Sequence, residues 1–353
     1  MEIICQEFDY TKQLIQRQEL FKECFPEYVD ENNYNNNDYL WLYHSFPSVP
    51  KSFEYVAIFD NQIIGYYAAI PYRYKIGNKV VTTAMVCGVM TSTKHRKMGI
   101  FSKLGNFSSE DQKRKGVSFN MTFPIRKVVM PGFLRMGWDI VFELPLYIRF
   151  IELSSLLKGR GFGFIAPLVN PIISVYNVLC RKKNKQGYTV RIFTNVEKIL
   201  EYNEFYEDWS KSVENTLIKD LDFVKWRYGC PSKKYIFFCA YKNDQLVGLL
   251  SAREIIKEKV PAIGILDFMV TDKNCLNNLH NALLKEAKLL KKEAIMMMMS
   301  RTSSKKYKLL SNAFFKSPFR FHLIIKNLKQ EFSKDELYNE NYWHLMFVDS
   351  DDL

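Results

Sequence analysis

The stretch GVMTSTKHRKMGIFSKL, Gly88 to Leu104, decides how the rest of the chain is read. An apolar run ends in Thr91-Ser-Thr93. Lys94, His95, Arg96 and Lys97 follow, then one glycine, Gly99, and at once an amphipathic helical pattern. A strand that passes into a helix through a basic turn leaves the first helical N–H groups without partners. Those groups and the positive end of the helix dipole form a place to hold a phosphate.

Outward from this junction the chain repeats itself. FEYVAIFDNQIIGYYAAIP, from Phe53, reads as strand, turn and strand. KVVTTAMVCGVMTS continues as a long strand. GIFSKLGNFSSEDQKRKG is helical, with Ile100, Leu104 and Phe107 on one face. GVSFNMTF, IRKVVMPGFLRMGW and DIVFELPLYIRFI then read as strand, short helix and closing strands. From Tyr235 the same order returns. YIFFCAYKNDQLVGLLSARE is strand, turn and strand, with Gly248 placed like Gly65, and PAIGILDFMVTD is the long strand. NCLNNLHNALLKEAKLLKK is a helix, EAIMMMMS a strand, SKKYKLLSNAF helical, and FRFHLIIKNL the last strand. Two copies of one α+β unit are expected. They differ at the junction. The second copy runs Asp272-Lys-Asn-Cys-Leu-Asn-Asn278, with neither glycine nor arginine, so a phosphate site is expected in the first copy alone.

Composition bounds the remaining choices. A chain of 353 residues is long for one core, and 47% apolar content marks a globular protein. The net charge of +12 suits a polyanionic or phosphorylated partner, and a solvated basic surface accounts for most of it. Nucleic acid and peripheral membrane contact are the less favoured partners. Seven cysteines without a C-x-x-C pair argue against a disulfide framework or a zinc site, and fit a reducing cytoplasm. The N-terminal MEIICQEFDY has no signal-peptide core. Phe162 to Cys180 is long and apolar, but Pro167, Asn170, Pro171 and Asn177 count against a spanning helix. A buried or inter-domain helix is expected there.

The run TSTKHRKMGIFSKL resembles the coenzyme A motif of the GNAT acyltransferases. Arg96, Gly99 and Phe101 occupy the defined positions of Arg/Gln-x-x-Gly-x-Gly/Ala, with Phe101 replacing the small residue and Thr93 an upstream proline. WLYHSFP near Trp41, GYYAAIP, PGFLRMGW, FVKWRYGCPSKKY and YWHLMFVDSDD look like tandem members of that family. The resemblance implies two tandem units, each a mixed twisted central sheet flanked by helices. It places an N-terminal acetyl-CoA domain over 1–157, a helical and basic connection over 158–187, and a degenerate copy with the tail over 188–353. It implies acetyl-CoA as acyl donor, a small-molecule amine as acceptor, and no metal. The implied cofactor residues are Val89, Met90 and Thr91 on the strand, then Arg96, Lys97, Met98, Gly99, Ile100 and Phe101. Lys94 is placed to reach the 3′-phosphate. A splay after the long strand would expose an oxyanion donor near Val89 or Met90.

The family's catalytic groups do not carry over. Its usual tyrosine falls on Phe133, which has no hydroxyl, and its asparagine after Phe-Pro falls on Ile125. Val80 to Met90 holds no carboxylate. Cys87, His95, one of Tyr66 and Tyr67, and the tail carboxylates Asp349, Asp351 and Asp352 are weighed as substitutes, with packing or solvent contact the default for each. Trp226-Arg227-Tyr228 is weighed as a ring-stacking site against simple packing. His44, His280, His322 and His344 lack metal-ligand spacing, and Met296 to Met299 reads as a core strand. The expected activity is acetyl transfer to a primary amine, with an amino sugar or sugar nucleotide of surface polysaccharide as the first acceptor. The alternatives are an aminoacyl-tRNA-dependent aminoacyltransferase of the peptidoglycan type and a non-catalytic acyl-CoA-binding protein.

Overall fold

β-branched and aromatic residues alternate on either side of Asp-Asn turns, at Asp60-Asn61 and again at Asn243-Asp244. All four of these turn residues adopt positive φ, the conformation that closes a tight hairpin. The computed structural model describes residues 2–27 and 36–350. Along the chain the first elements are β1 (Ile4–Glu7), α1 (Tyr10–Cys24), α2 (Asn36–His44), β2 (Phe53–Phe59), β3 (Gln62–Ile70), β4 (Arg73–Ile76) and β5 (Lys79–Thr91). Next come α3 (Ile100–Arg114), β6 (Phe119–Thr122), α4 (Met130–Arg135), β7 (Asp139–Phe150), α5 (Ser154–Gly159) and α6 (Ala166–Leu179). Then follow β8 (Thr189–Phe193), α7 (Tyr202–Lys211), β9 (Asn215–Leu217), α8 (Leu221–Arg227), β10 (Ile236–Lys242), β11 (Gln245–Lys257) and β12 (Val260–Val270). The chain closes with α9 (Leu276–Leu289), β13 (Ala294–Met298), α10 (Arg301–Lys306), β14 (Phe315–Asn327), α11 (Lys334–Tyr338) and β15 (Trp343–His344). Sheets of mixed parallel and antiparallel pairing are flanked by helices, the α+β organisation that the sequence implies.

The chain divides into two units. The first comprises 1–142 with 230–232 and 322–338, the second 143–229 with 233–321 and 339–353. The division falls at Phe142, inside β7, rather than after Leu157. In the first unit the strand order is β1-β2-β3-β5-β6, closed by the C-terminal half of β14, where Ile324–Asn327 runs antiparallel to Phe119–Thr122. In the second the order is β7-β13-β12-β11-β10-β8, with Leu146–Phe150 of β7 antiparallel to β13. Each sheet is thus completed by a strand that follows the other repeat in sequence.

The repeat extends to irregularities. The pairing of β2 with β3 slips at Ile64, and that of β10 with β11 slips at Val247. β5 bulges at Cys87 against β3, and β12 bulges at Leu266 against β11. Bulges are positional devices that bend one strand, so their recurrence marks two copies of one design. Gly65 and Gly248 do equivalent work. A Cβ at Gly65 would lie 2.7 Å from Ile100 Cγ2, and one at Gly248 would lie 2.7 Å from Cys275 Sγ. In both units the missing side chain lets the helix start press onto the sheet.

One expectation fails. The segment Phe162–Cys180 forms α6, but the helix is not buried. Ala166 and Asn177 face inward, while Leu168, Ile172, Val175 and Leu179 are exposed. Among the described residues no helix is long and apolar enough to cross a membrane.

Candidate functional site

The first unit's junction is built from the strand outward. β5 runs parallel to β6 only from Thr83↔Phe119 to Met85↔Met121. Beyond Met85 it pairs with β3 alone, through Gly88↔Ala68, Val89↔Tyr67, Met90↔Tyr66 and Thr91↔Gly65. The edge of β5 from Val86 to Thr91 therefore parts from β6. This is the splay implied near Val89 and Met90, and backbone groups on that edge are free of ladder bonds to β6.

Past the strand the chain is pinned before it turns. Ser92 N–H donates to Ile64 O at 2.9 Å, and Thr93 N–H and Oγ1–H donate to the Glu23 carboxylate at 2.6 and 2.5 Å. Burial works against the Glu23 charge, but hydrogen bonds from Thr93 and Ser92 outweigh it and hold its carboxyl below the usual range. Cys24 Sγ–H donates to Thr91 O at 3.4 Å. His95 Nδ1 lies 3.1 Å from Ser92 Oγ, so its ring braces the turn.

The turn itself winds left-handed twice, at Lys97 (φ +69°) and Gly99 (φ +73°). Gly99 is the N-cap of α3 and has no side chain to cap it. A Cβ there would meet nothing within 4 Å, so the backbone conformation, and not crowding, calls for glycine. Lys103 N–H closes the first turn onto Gly99 O at 2.9 Å. Among the described residues, the N–H groups of Lys97 to Ser102 reach no carbonyl of the chain. Arg96, Lys97, Met98 and Gly99 are exposed. Amides without carbonyl partners at a helix start, with cations around them, are suited to hold an anion.

Two implied cofactor residues point elsewhere. Ile100 is buried against Gly65. Phe101 turns its ring into the core, edge-on to Phe133 at 5.0 Å, and Phe133 meets Trp138 at 4.9 Å. Position 101 tolerates a phenylalanine because its side chain packs between α3 and α4. Only the backbone N–H groups of Ile100 and Phe101 face the turn. Phe133 is a packing residue, and Ile125 is exposed.

On the sheet face opposite α3 lies a polar cluster that the sequence reading missed. Glu54 of β2 accepts from Tyr39 Oη at 2.8 Å, Tyr66 Oη at 2.5 Å and Ser52 Oγ at 2.8 Å. His44 Nε2 is 3.6 Å from Glu54 Oε1. The Arg17 guanidinium stands 4.2 Å from the Tyr39 ring and 5.1 Å from that of Tyr66. Tyr43 Oη sits 3.5 Å from Cys87 Sγ, at the bulge. A Cβ on Gly88 would lie 2.5 Å from that hydroxyl, so glycine lets the phenol rest on the β5 backbone at the splay. Burial first, and the Cys87 and Glu54 charges with it, holds Tyr43 well above its usual range, as burial and Glu54 do for Tyr66. Both phenols stay protonated and can donate, while the Glu54 carboxylate can accept. The signal was present: Glu54 is the one charged residue in an apolar strand, and Tyr43 belongs to WLYHSFP. Tyr67, on the other face, packs in the core under α3.

The second unit's junction is occupied by its own chain. Asp272 caps Asn274 N–H at 2.9 Å and accepts from Tyr188 Oη at 2.5 Å and Lys242 Nζ at 3.3 Å. Asn278 exchanges hydrogen bonds with the backbone of Lys185, and Asn281 and Asn277 hold Lys182 O and Lys183 O. The segment before β8 therefore lies along the start of α9. β12 also parts from β13 beyond Ile265↔Met297. There Asp267 is buried and bonded to Lys219 Nζ at 2.7 Å and His344 Nε2 at 3.1 Å. Asp349 is buried, its carboxylate accepting from Met346 N–H at 2.8 Å, so it offers no free base. Asp351 and Asp352 lie outside the described residues. Trp226 and Arg227 are buried, and the Tyr228 ring packs edge-on against Phe237. Among the described residues no three His, Cys, Asp or Glu side chains converge as a metal site.

A sheet that parts beyond a bulge, with a bare helix start at its mouth, is what the resemblance to GNAT acyltransferases implies. The family model for the acetyltransferase (GNAT) domain matches residues 11–141, so this part of the chain carries a GNAT-type domain. Solved structures share the fold over 93% of the chain. One is a conserved protein of unknown function from Enterococcus faecalis V583, termed a "probable N-acyltransferase" (10% identity, 73% of its length, TM-score 0.68). A second is a GCN5-related N-acetyltransferase from Anabaena variabilis (9%, 73%, 0.66), and a third its namesake from Kribbella flavida (11%, 71%, 0.59). No curated protein matches the sequence.

Proposed function

We propose that the protein transfers an acetyl group from acetyl-CoA to a primary amine of a small molecule, using the first unit alone for the donor. The observation that carries this is the contrast between the two junctions. One offers unpaired amides from Lys97 to Ser102 beside Arg96 and Lys97. The other is filled by Asp272 and by the backbone of Lys182–Lys185. In this reading the donor's diphosphate lies on the first set, with Lys94 near the 3′-phosphate. The pantetheine arm follows Val89 to Thr91 into the splay. A backbone N–H of Val89 or Met90 stabilises the oxyanion as the amine attacks the thioester carbonyl. The C–N bond forms, the C–S bond breaks, and the thiolate takes a proton from Tyr43 Oη. The amine's proton passes to Glu54, directly or through His44.

An amino sugar, free or as a sugar nucleotide, is the first acceptor to assay. Release of free coenzyme A thiol from acetyl-CoA in the presence of a panel of amino sugars and aliphatic amines tests the reading. Amine-dependent thiol release supports it. Binding of acetyl-CoA without thiol release for any amine would make the protein a binder.

A further inference from the structure

We propose that the second unit docks on an anionic phospholipid surface through α6. The helix is inside-out for a water-soluble protein. Its polar residues hold it to its own unit. Asn170 accepts from Leu153 N–H at 2.9 Å and donates to Ser154 Oγ at 2.9 Å. Asn177 accepts from buried Arg149 Nε at 2.9 Å and donates to Phe150 O at 2.8 Å. Its apolar residues face away. Leu168, Ile172, Val175, Val178 and Leu179 recur every three or four positions and expose 58–78% of their surface. A contiguous exposed apolar stripe marks an interaction surface rather than chance. Phe162 and Phe164, at the helix entrance, are exposed as well.

The stripe continues onto neighbouring strands. Tyr176 of α6 stacks on Phe315 of β14, with ring centres 5.5 Å apart. Phe315, Phe319 and, at the β11–β12 turn, Ile256 are exposed. Between α5, that turn and the start of β14 lies a cavity of about 670 Å³, lined by Ile148, Leu156 and Phe319 among others and by Arg160, Lys257 and Lys316.

Charge selects the occupant. From Leu153 to Tyr188 the chain carries six basic residues, Lys158, Arg160, Arg181, Lys182, Lys183 and Lys185, and no acidic one. All six are exposed. Lys259 and Lys316 add to the set, against Glu258. Apolar side chains with Arg160, Lys257, Lys259 and Lys316 beside them match the interface of an anionic bilayer, where the former enter the headgroup boundary and the latter meet phosphates. The length fits this mode and excludes spanning: fourteen residues rise about 21 Å, against roughly 30 Å of hydrocarbon.

Flotation of the full chain tests the proposal. Equimolar phosphatidylglycerol–phosphatidylcholine vesicles are expected to carry the protein, pure phosphatidylcholine vesicles at least about tenfold less, with binding weakened by salt. Ile172→Glu with Leu179→Glu, and separately Arg160→Glu with Lys259→Glu, are each expected to reduce flotation at least about tenfold. All four sites are exposed, so the melting temperature is expected to stay put. Absence of flotation, or flotation that both variants leave intact, would overturn the proposal. So would a wild-type dimer that Ile172→Glu dissociates, because a second copy would then cover the stripe.

Discussion

Replacing Gly99 with alanine separates the conformational role of this residue from its role in binding. The methyl group would enter open space, so no clash contributes. The backbone at φ +73°, ψ +9° is left-handed, and a Cβ there costs about 1–2 kcal/mol. For a unit of this size that lowers the melting temperature by roughly 2–8 °C. Binding should suffer more. A Cβ at the helix start pushes a diphosphate away from the amides of Lys97 to Ser102. Loss of even one charge-assisted hydrogen bond costs about 1.5–3 kcal/mol, or a roughly 10- to 150-fold rise in Kd. Calorimetric titration with acetyl-CoA gives the affinity, and thermal melting of the unliganded protein gives the strain. Asn278→Ala, in the second junction, serves as control and should leave the affinity unchanged. If Gly99→Ala melts lower as expected but binds acetyl-CoA within twofold of wild type, the diphosphate does not lie on this helix.

Three further outcomes follow from the geometry. Tyr43→Phe should lower kcat at least about tenfold while acetyl-CoA affinity holds, and Gly88→Ala should do the same by displacing the hydroxyl from a point 2.5 Å away. His280 is buried between Phe268 and Phe314, and burial, with the Arg149 charge, lowers its pKa to about 3. The unfolded chain protonates this histidine near its ordinary 6.5, so the stability it confers is full above that pH and is lost as pH falls toward 3, up to about 5 kcal/mol. Urea melts of His280→Phe should show a flatter dependence on pH over that window. Lys219→Met leaves Asp267 buried beside His344 with its main countercharge gone, and should destabilise the second unit by about 3–5 kcal/mol in the same assay.

Much of the architecture was legible because hydrophobic period and turn chemistry are local. Asp60-Asn61 and Asn243-Asp244 announce their hairpins, and Gly99 announces the left-handed entry to α3. The absence of glycine from Asp272–Asn278 announces a junction of another kind. Three features depend on contacts between residues far apart in sequence. The strands that close the two sheets are β7 and β14, each following the opposite repeat, and no periodicity carries that information. The cluster on Glu54 draws on residues 17, 39, 44, 52 and 66, which only the fold brings together. The orientation of α6 runs against its apolar content, which suggests burial, because Asn170 and Asn177 define its inner face.

Hydrogen–deuterium exchange with and without acetyl-CoA tests the central claim most directly. The amides of Lys97 to Ser102, which reach no carbonyl among the described residues, should become protected on addition of the donor, while Cys275 to Leu279 should exchange as before. Protection at the second junction, or at neither, would contradict the account.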